Sequence, residues 1–342
     1  MVFNEKDFFL YTKKLDFAAL KVGDHLPHDV YSTDGAMIAK AGSILSEDLL
    51  GKLDKVKYKL VTIDVSRLYQ QTLSTYKVVM QRIKEGEVPD KKVIAELITP
   101  FVGETESKRN AADFLGYLQG KGEYLIQHSI QVGVLAMFLA RWREFPEQEI
   151  LEVAVAGTIH DIGKYRVADE ILNKPGPLNK REMAEVKKHS LYGYELLKDA
   201  EDFSDDIKLG VLQHHEREDG SGYPQGLQDG EIHPYAKILA IVDVFQAMIT
   251  DKVYSKKVNP FYALDFLLKS ISQFDTEMVF TFTNKMLDYY AGGRVVLNTG
   301  ENGTVVYINK DYIRHPMVQK DDGTIVDLKK DRNTWIVSML DR

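Results

Sequence analysis

The chain has 342 residues, 44% of them hydrophobic and 28% charged, enough to bury a substantial core and to carry two or three domains. It contains no cysteine, which excludes disulfides, thiolate catalysis, iron–sulfur clusters and sulfur-bound zinc, so any metal must be held by His, Asp, Glu and water. A formal charge of -7 argues against a broad surface for a nucleic-acid polymer, yet leaves room for one small anionic ligand in a locally basic pocket.

The longest apolar runs, such as Val132 to Ala140, fall well short of the roughly 20 residues that a membrane span requires. The N-terminus "MVFNEKDFFLYTKK" lacks the charged-then-apolar order of a secretion signal. Both features predict a cytoplasmic protein without a membrane span.

Residues 1–65 alternate apolar positions with Gly, Asp and Pro in "LKVGDHLPHDVYSTDGAMIAKAG", offer a capped helical turn in "SEDLLGKLDKV", and return to strand character in "YKLVTIDV". This pattern predicts a small α/β module, a candidate regulatory unit by its place ahead of the helical region. Residues 66–110 are more helical, broken at Pro89-Asp90, and read as a connector.

Residues 111–292 are a succession of amphipathic helices. "EYLIQHSIQVGVLAMFLARW" is one. Pro146 followed by Glu147 and Glu149 opens the next, and Asn179 with Glu182 three residues on marks a capping-box start. "YAKILAIVDVFQAMIT" is apolar enough for a central core helix, so Asp243 inside it needs a partner. After Gly292-Gly293, "RVVLNTGENGTVVYINK" carries a hairpin signal that "GTIVDL" and "TWIVSML" continue, predicting a small β appendix over 293–342. The fold class expected is therefore mainly α, with a helical-bundle core between a small N-terminal α/β module and a small C-terminal β domain.

Five of the nine histidines fall between residues 128 and 215: His128, His160, His189, His214 and His215, with Asp161 directly after His160. A single helical histidine is ordinary core or surface. A set of them beside a carboxylate suits iron, manganese, zinc or nickel. Consecutive residues in a helix point about 100° apart, so His160-Asp161 and His214-His215 converge on one point only at helix ends. Gly163 and the polar run after His215 supply such ends.

The strings "HDIGK" at 160–164, "KKHS" at 187–190, "QHHE" at 213–216, "DGSGYPQGL" at 219–227 and "ILAIVDVFQAM" at 238–248 closely resemble the HD-GYP family in order and spacing. That family is a branch of the HD metal-dependent phosphohydrolases that cleaves cyclic di-GMP, and the resemblance covers residues 111–292. It implies an HD-type bundle holding two divalent transition metals, iron with manganese or another ion as the alternative. His128, His160, Asp161 and Asp243 would surround one metal, and Asp161, His189, His214 and His215 the other, with Asp161 bridging. Two ions about 3.5–4 Å apart would activate a bridging water for in-line attack. The resemblance gives Asp161 and Lys164 the catalytic roles, Lys164 by binding the scissile phosphate. It also brings Gly222, Tyr223 and Pro224 to the substrate pocket. By composition alone that glycine-rich turn is an ordinary surface loop.

The chain departs from the family pattern at two points. Where some members carry a glutamate one turn before the first histidine, here stands Tyr124, with Glu123 off the face of His128, so two metals are expected rather than three. Where an arginine and a further basic residue usually follow the last aspartate, here stand Lys252 and Ser255, with Lys256 adjacent. Lysine keeps the charge and loses the bidentate geometry. The function expected is hydrolysis of cyclic di-GMP to pGpG, continuing to GMP or stopping there. The alternatives are a metal-containing receptor for that nucleotide without turnover, and an HD phosphohydrolase acting on another nucleotide. The expected partners are cyclic di-GMP and its linear product, a second copy in a homodimer, and a signalling partner at the N-terminal module.

Overall fold

The apolar alternation around residues 30 and 60 forms strands, as its period requires. The computed structural model describes residues 12–13, 21–23, 30–32, 37–39, 43–56, 60–63, 65–102, 124–250 and 257–340, and divides into two compact units, 1–75 and 76–342. In the first, β1 (Thr12–Lys13), β2 (Val30–Ser32), β3 (Met37–Ala39) and β4 (Leu60–Ile63) form an antiparallel sheet in the order β1-β4-β2-β3. Helix α1 (Glu47–Val56) lies between β3 and β4 in the chain. It starts at Ser46, whose Oγ accepts a hydrogen bond from Leu49 N at 3.2 Å, and Glu47 and Asp48 meet the positive end of its dipole. Helices α2 (Val65–Lys84) and α3 (Lys91–Val102) follow, separated at the Pro89-Asp90 break.

The second unit is built around α4 (Tyr124–Trp142) and α5 (Glu147–Ile159), which pack along one another. Every residue from Ile126 to Ala140 is buried, so α4 is a central helix rather than an amphipathic surface one. A short 3-10 helix (Ile162–Arg166) and α6 (Asp169–Leu172) lead to α7 (Lys180–Lys187) and α8 (His189–Leu197). Asn179 caps α7 with the full capping box, its side chain accepting from Arg181 N and Glu182 N while Glu182 accepts from Asn179 N. Helix α9 (Asp205–Gln213) packs on α5 and on α10 (Pro234–Ile249). His233 is the N-cap of α10, its ring accepting from Tyr235 N at 3.2 Å.

Helices α11 (Pro260–Lys269) and α12 (Thr276–Tyr290) close the bundle. Phe282 and Tyr290 of α12 are buried, whereas Phe280 is 49% exposed. Residues two apart on a helix lie about 200° apart, so Phe280 faces solvent where Phe282 packs inward. The chain ends in an antiparallel sheet of β5 (Arg294–Leu297), β6 (Asn302–Tyr307), β7 (Met317–Lys320), β8 (Ile325–Asp327) and β9 (Ile336–Met339), in the order β8-β7-β6-β5-β9. Val295, Leu297, Val305, Val318 and Ile336 are its buried residues. Helical bundle, N-terminal α/β sheet and C-terminal β sheet are thus the architecture expected from the sequence. Among the described residues no helix is long and apolar enough to cross a membrane.

Candidate metal centre

Four of the buried polar side chains lie on α4 itself: Gln127, His128, Ser129 and Gln131. Polar groups in such a helix require partners, and His128 finds them on two others. Its Nε2 lies 3.0 Å from Asp243 Oδ1 on α10 and 3.6 Å from Asp161 Oδ2 just past α5. The remaining histidines sit at helix boundaries. His160 follows the last residue of α5, His189 is the first residue of α8, and His214 is the C-cap of α9. Asp161 precedes the 3-10 helix. Adjacent residues can converge there because the helical 100° rotation stops, as the pairs His160-Asp161 and His214-His215 require.

The structure gathers all seven predicted ligands into two groups, His128, His160 and Asp243 in one and Asp161, His189, His214 and His215 in the other. Within each, one donor atom per residue lies within 4.8 Å of all the rest. Asp161 faces both groups. Its Oδ2 lies 3.3 Å from His160 Nε2 and 3.6 Å from His128 Nε2, while its Oδ1 lies 3.3 Å from His189 Nε2. His189 Nε2 lies in turn 3.2 Å from His214 Nε2.

Three imidazoles are oriented by one device. Nδ1 of His160, His189 and His214 lies 2.7 Å from the carbonyl oxygen of Gly157, Val186 and Val211 respectively, each three residues earlier. A carbonyl only accepts, so a proton sits on Nδ1 and Nε2 is the nitrogen turned toward the site. Those carbonyls belong to the last turns of α5, α7 and α9, where intrahelical donors run out. His128 is mid-helix, and its Nδ1 bonds instead to Gln246 Oε1, whose amide donates to Gln131 Oε1 and, at 2.8 Å, to Thr250 Oγ1. Close backbone approach also shapes the site. A Cβ on Gly163 would stand 1.9 Å from His189 O, so only glycine lets the 3-10 helix after Asp161 meet the start of α8.

Burial dominates the electrostatics. It lowers His189 to about 4, partly offset by Asp161, and with the neighbouring imidazoles it holds His214 and His215 well below the ordinary histidine value. Burial also pulls at His160, but Asp161 and Asp243 outweigh it and raise that ring. Burial alone would push both carboxyls up. Instead His160 and Lys164 hold Asp161, and His128 holds Asp243, well below the carboxylate range. Lys164, 23% exposed at its side chain, contacts Asp161 Oδ2 at 2.5 Å. The result is two carboxylates beside imidazoles of which His189, His214 and His215 are held neutral, a donor set suited to divalent transition ions. His160 Nε2 and Asp161 Oδ1 are buried with no hydrogen-bond partner, and a cation between the groups would satisfy both. The residues therefore fit a metal pair.

Tyr223, half-buried, stacks on the ring of His215 at 4.6 Å between centroids, and burial together with Asp161 and Asp243 raises its phenol. Gly222 packs against backbone and Pro224 is exposed beyond it. Lys252, Ser255, Lys256 and Glu123 lie outside the described residues, as does the side chain of Tyr124. Sequence reasoning missed Gln246 and Glu216. Gln246 was signalled as a polar residue one turn after Asp243 in an apolar helix. Glu216, fully buried next to His215, was signalled only by its place in "QHHE".

Residues 115–278 match the HD domain family. A cyclic di-GMP phosphodiesterase of Pseudomonas aeruginosa is 34% identical over 221 residues, 65% of this chain and 53% of the relative. A cyclic di-GMP phosphodiesterase of Thermotoga maritima is 38% identical over 131 residues, 37% of this chain and 35% of the relative. A 3'3'-cGAMP-specific phosphodiesterase of Vibrio cholerae is 30% identical over 199 residues, 56% of this chain and 46% of the relative. The chain thus spans about half or less of the length of these relatives. An HDG"Y"P protein from Bdellovibrio bacteriovorus shares the fold with a TM-score of 0.54 at 12% identity, across 81% of this chain and 99% of that one.

Proposed function

Because residues 115–278 match the HD domain family, we propose that the chain is a metal-dependent phosphodiesterase that hydrolyses cyclic di-GMP. The observation that carries this reading is the convergence of seven side chains from five separate segments of the chain into two donor groups with Asp161 facing both. His128, His160, Asp161 and Asp243 would hold one ion and Asp161, His189, His214 and His215 the other, iron or manganese being the ions this donor set takes. Such a pair supplies Lewis acidity, activating water and neutralising phosphate charge.

The chain's own residues do the rest. The carbonyl-bound histidines present nitrogens fixed in orientation, so little reorganisation accompanies binding. Asp161 holds the two halves in register. Lys164, at the partly exposed edge of the site, takes a non-bridging phosphate oxygen and offsets the charge that builds there. Gly222, Tyr223 and Pro224 wall the approach, and Lys252 and Lys256 serve the second phosphate. Attack of water on phosphorus breaks one P–O3' ester bond, a proton passes to the departing 3'-oxygen, and the product is linear pGpG. Activity in the cytoplasm, a homodimer and a signalling partner at residues 1–65 belong to the same reading.

A second reading is hydrolysis of another cyclic dinucleotide, favoured by the 30% identity to the Vibrio cholerae 3'3'-cGAMP-specific enzyme. Anaerobic purification, metal analysis and product chromatography on cyclic di-GMP, 3'3'-cGAMP and cyclic di-AMP separate the two. Preferred turnover of cyclic di-GMP to pGpG supports the first. Tight binding of cyclic di-GMP without turnover under iron and manganese, in both redox states, overturns it in favour of a receptor.

A further inference from the structure

His215 is oriented differently from the other histidines of the site. His160, His189 and His214 each bond a helix-end carbonyl, and His128 bonds Gln246. Among the described residues no hydrogen bond reaches the ring of His215. It is held between rings instead. Tyr223 stacks on it at 4.6 Å and 29°, His214 lies tilted at 4.1 Å, and His189 meets it edge-on at 5.0 Å. Tyr223 is the one of these three that comes from outside the donor groups.

The loop that carries Tyr223 is fastened to the backbone that carries His215. Tyr223 N donates to His215 O at 3.2 Å. The Glu216 carboxylate, 1% exposed, accepts from Gln225 N at 2.7 Å, Gly226 N at 3.2 Å and Leu227 N at 3.0 Å. Three amide donors on one buried carboxylate are a strong and directional tie. A Cβ on Gly222 would stand 2.4 Å from Glu216 Cα and 2.6 Å from His215 O, so the loop closes on the histidine segment with no side chain between. A ring stacked at this distance restricts the tilt of the His215 ring, whose orientation no hydrogen bond among the described residues fixes.

We propose that Tyr223 is a positioning residue for His215, that its ring rather than its hydroxyl performs the task, and that Glu216 is the anchor through which the loop holds Tyr223 in place. This rests on the reading of His215 as a metal ligand. The GYP loop is then part of the metal site's construction, and the conformation of residues 216–227 governs occupancy of the half of the site formed by Asp161, His189, His214 and His215.

The test is manganese(II) titration of the metal-free full chain, followed calorimetrically, for wild type, Tyr223→Phe, Tyr223→Leu and Glu216→Gln. Loss of an outer partner of a ligating histidine weakens metal affinity about 10- to 100-fold. Tyr223→Leu is expected to weaken one of two sites by that factor while the other keeps its wild-type affinity. Tyr223→Phe keeps both, and Glu216→Gln weakens the same site as Tyr223→Leu. Turnover by Tyr223→Leu at limiting manganese should show lowered kcat that excess manganese restores. Wild-type affinity at both sites in Tyr223→Leu overturns the proposal, as does equal loss in Tyr223→Phe. A raised KM that manganese does not rescue, with both sites intact, assigns Tyr223 to substrate instead. If Tyr223→Leu fails to fold, Glu216→Gln decides. Failure of the wild type to cleave cyclic di-GMP would remove the proposed reaction and leave the titration result standing.

Discussion

His128 and Asp243 sit in the interiors of two central helices, whereas His160, His189, His214 and His215 sit where helices begin or end. The two arrangements solve the same problem with different groups. At a helix end the last-turn carbonyls lack intrahelical donors, so a histidine placed there can satisfy one and fix its own tautomer in a single bond. In mid-helix those carbonyls are taken, and His128 depends on Gln246 from a neighbouring helix. A ligand in a core helix is therefore only as well oriented as the packing of that helix on its neighbours, while His160, His189 and His214 are oriented by carbonyls three residues earlier.

Asp161 is the residue the two halves share, and its loss should have the largest effect. Asp161→Ala removes a carboxylate from both groups and strands Lys164, so turnover of cyclic di-GMP is expected to fall more than about 1,000-fold, the upper scale for removing one principal electrostatic contributor. Retention of a tenth of the activity would break the proposed mechanism. Next in size is metal removal. Ions that bind only the folded chain stabilise it by about 2.7 kcal/mol at 100 times the dissociation constant, so chelation should lower the thermal midpoint, and an unchanged midpoint would mean the histidines are incidental.

Gln246→Leu discriminates between the halves. It frees His128 to rotate and leaves the helix-end histidines untouched, so affinity should drop by about 10- to 100-fold at one metal site only. Equal weakening of both sites, measured by manganese titration, would show that the halves do not orient independently. Gln246→Glu, which retains an acceptor for Nδ1, should recover much of the loss.

The smallest expected effect is on pH dependence in the metal-free protein. Burial lowers His189 to about 4 and also depresses His214 and His215 below the ordinary 6.5. The unfolded chain then binds more protons than the folded one between pH 6.5 and about 4, and stability falls as pH drops through that window. His160 acts oppositely, since its raised value contributes stability below 6.5 that is lost as pH rises through the folded value. His189, lowered to about 4 and joined by His214 and His215, sets the direction expected. Urea midpoints that stay level or rise between pH 7 and pH 5 would contradict it.

Much of this site is legible in the linear chain because its ligands lie in short strings, and helix-end placement of adjacent ligands follows from the 100° rotation alone. Asp243 was flagged by a carboxylate in an apolar helix, and the capping of α7 by Asn179 follows from local chemistry. Tyr223 is where local reading reached its limit. A turn rich in glycine looks the same whether it faces solvent or closes on a histidine, and the difference depends on Glu216 meeting amides nine to eleven residues away. The sequence by itself determined the helical core and the terminal strands, because periodicity and caps are properties of neighbouring residues, while the candidate ligand set came from the resemblance of its short strings to the HD-GYP family. Which oxygen of Asp161 faces which histidines, the dependence of His128 on Gln246 and the stack of Tyr223 on His215 were decided only by tertiary structure. They arise where helices cross and a loop folds back, and no local pattern encodes those distances.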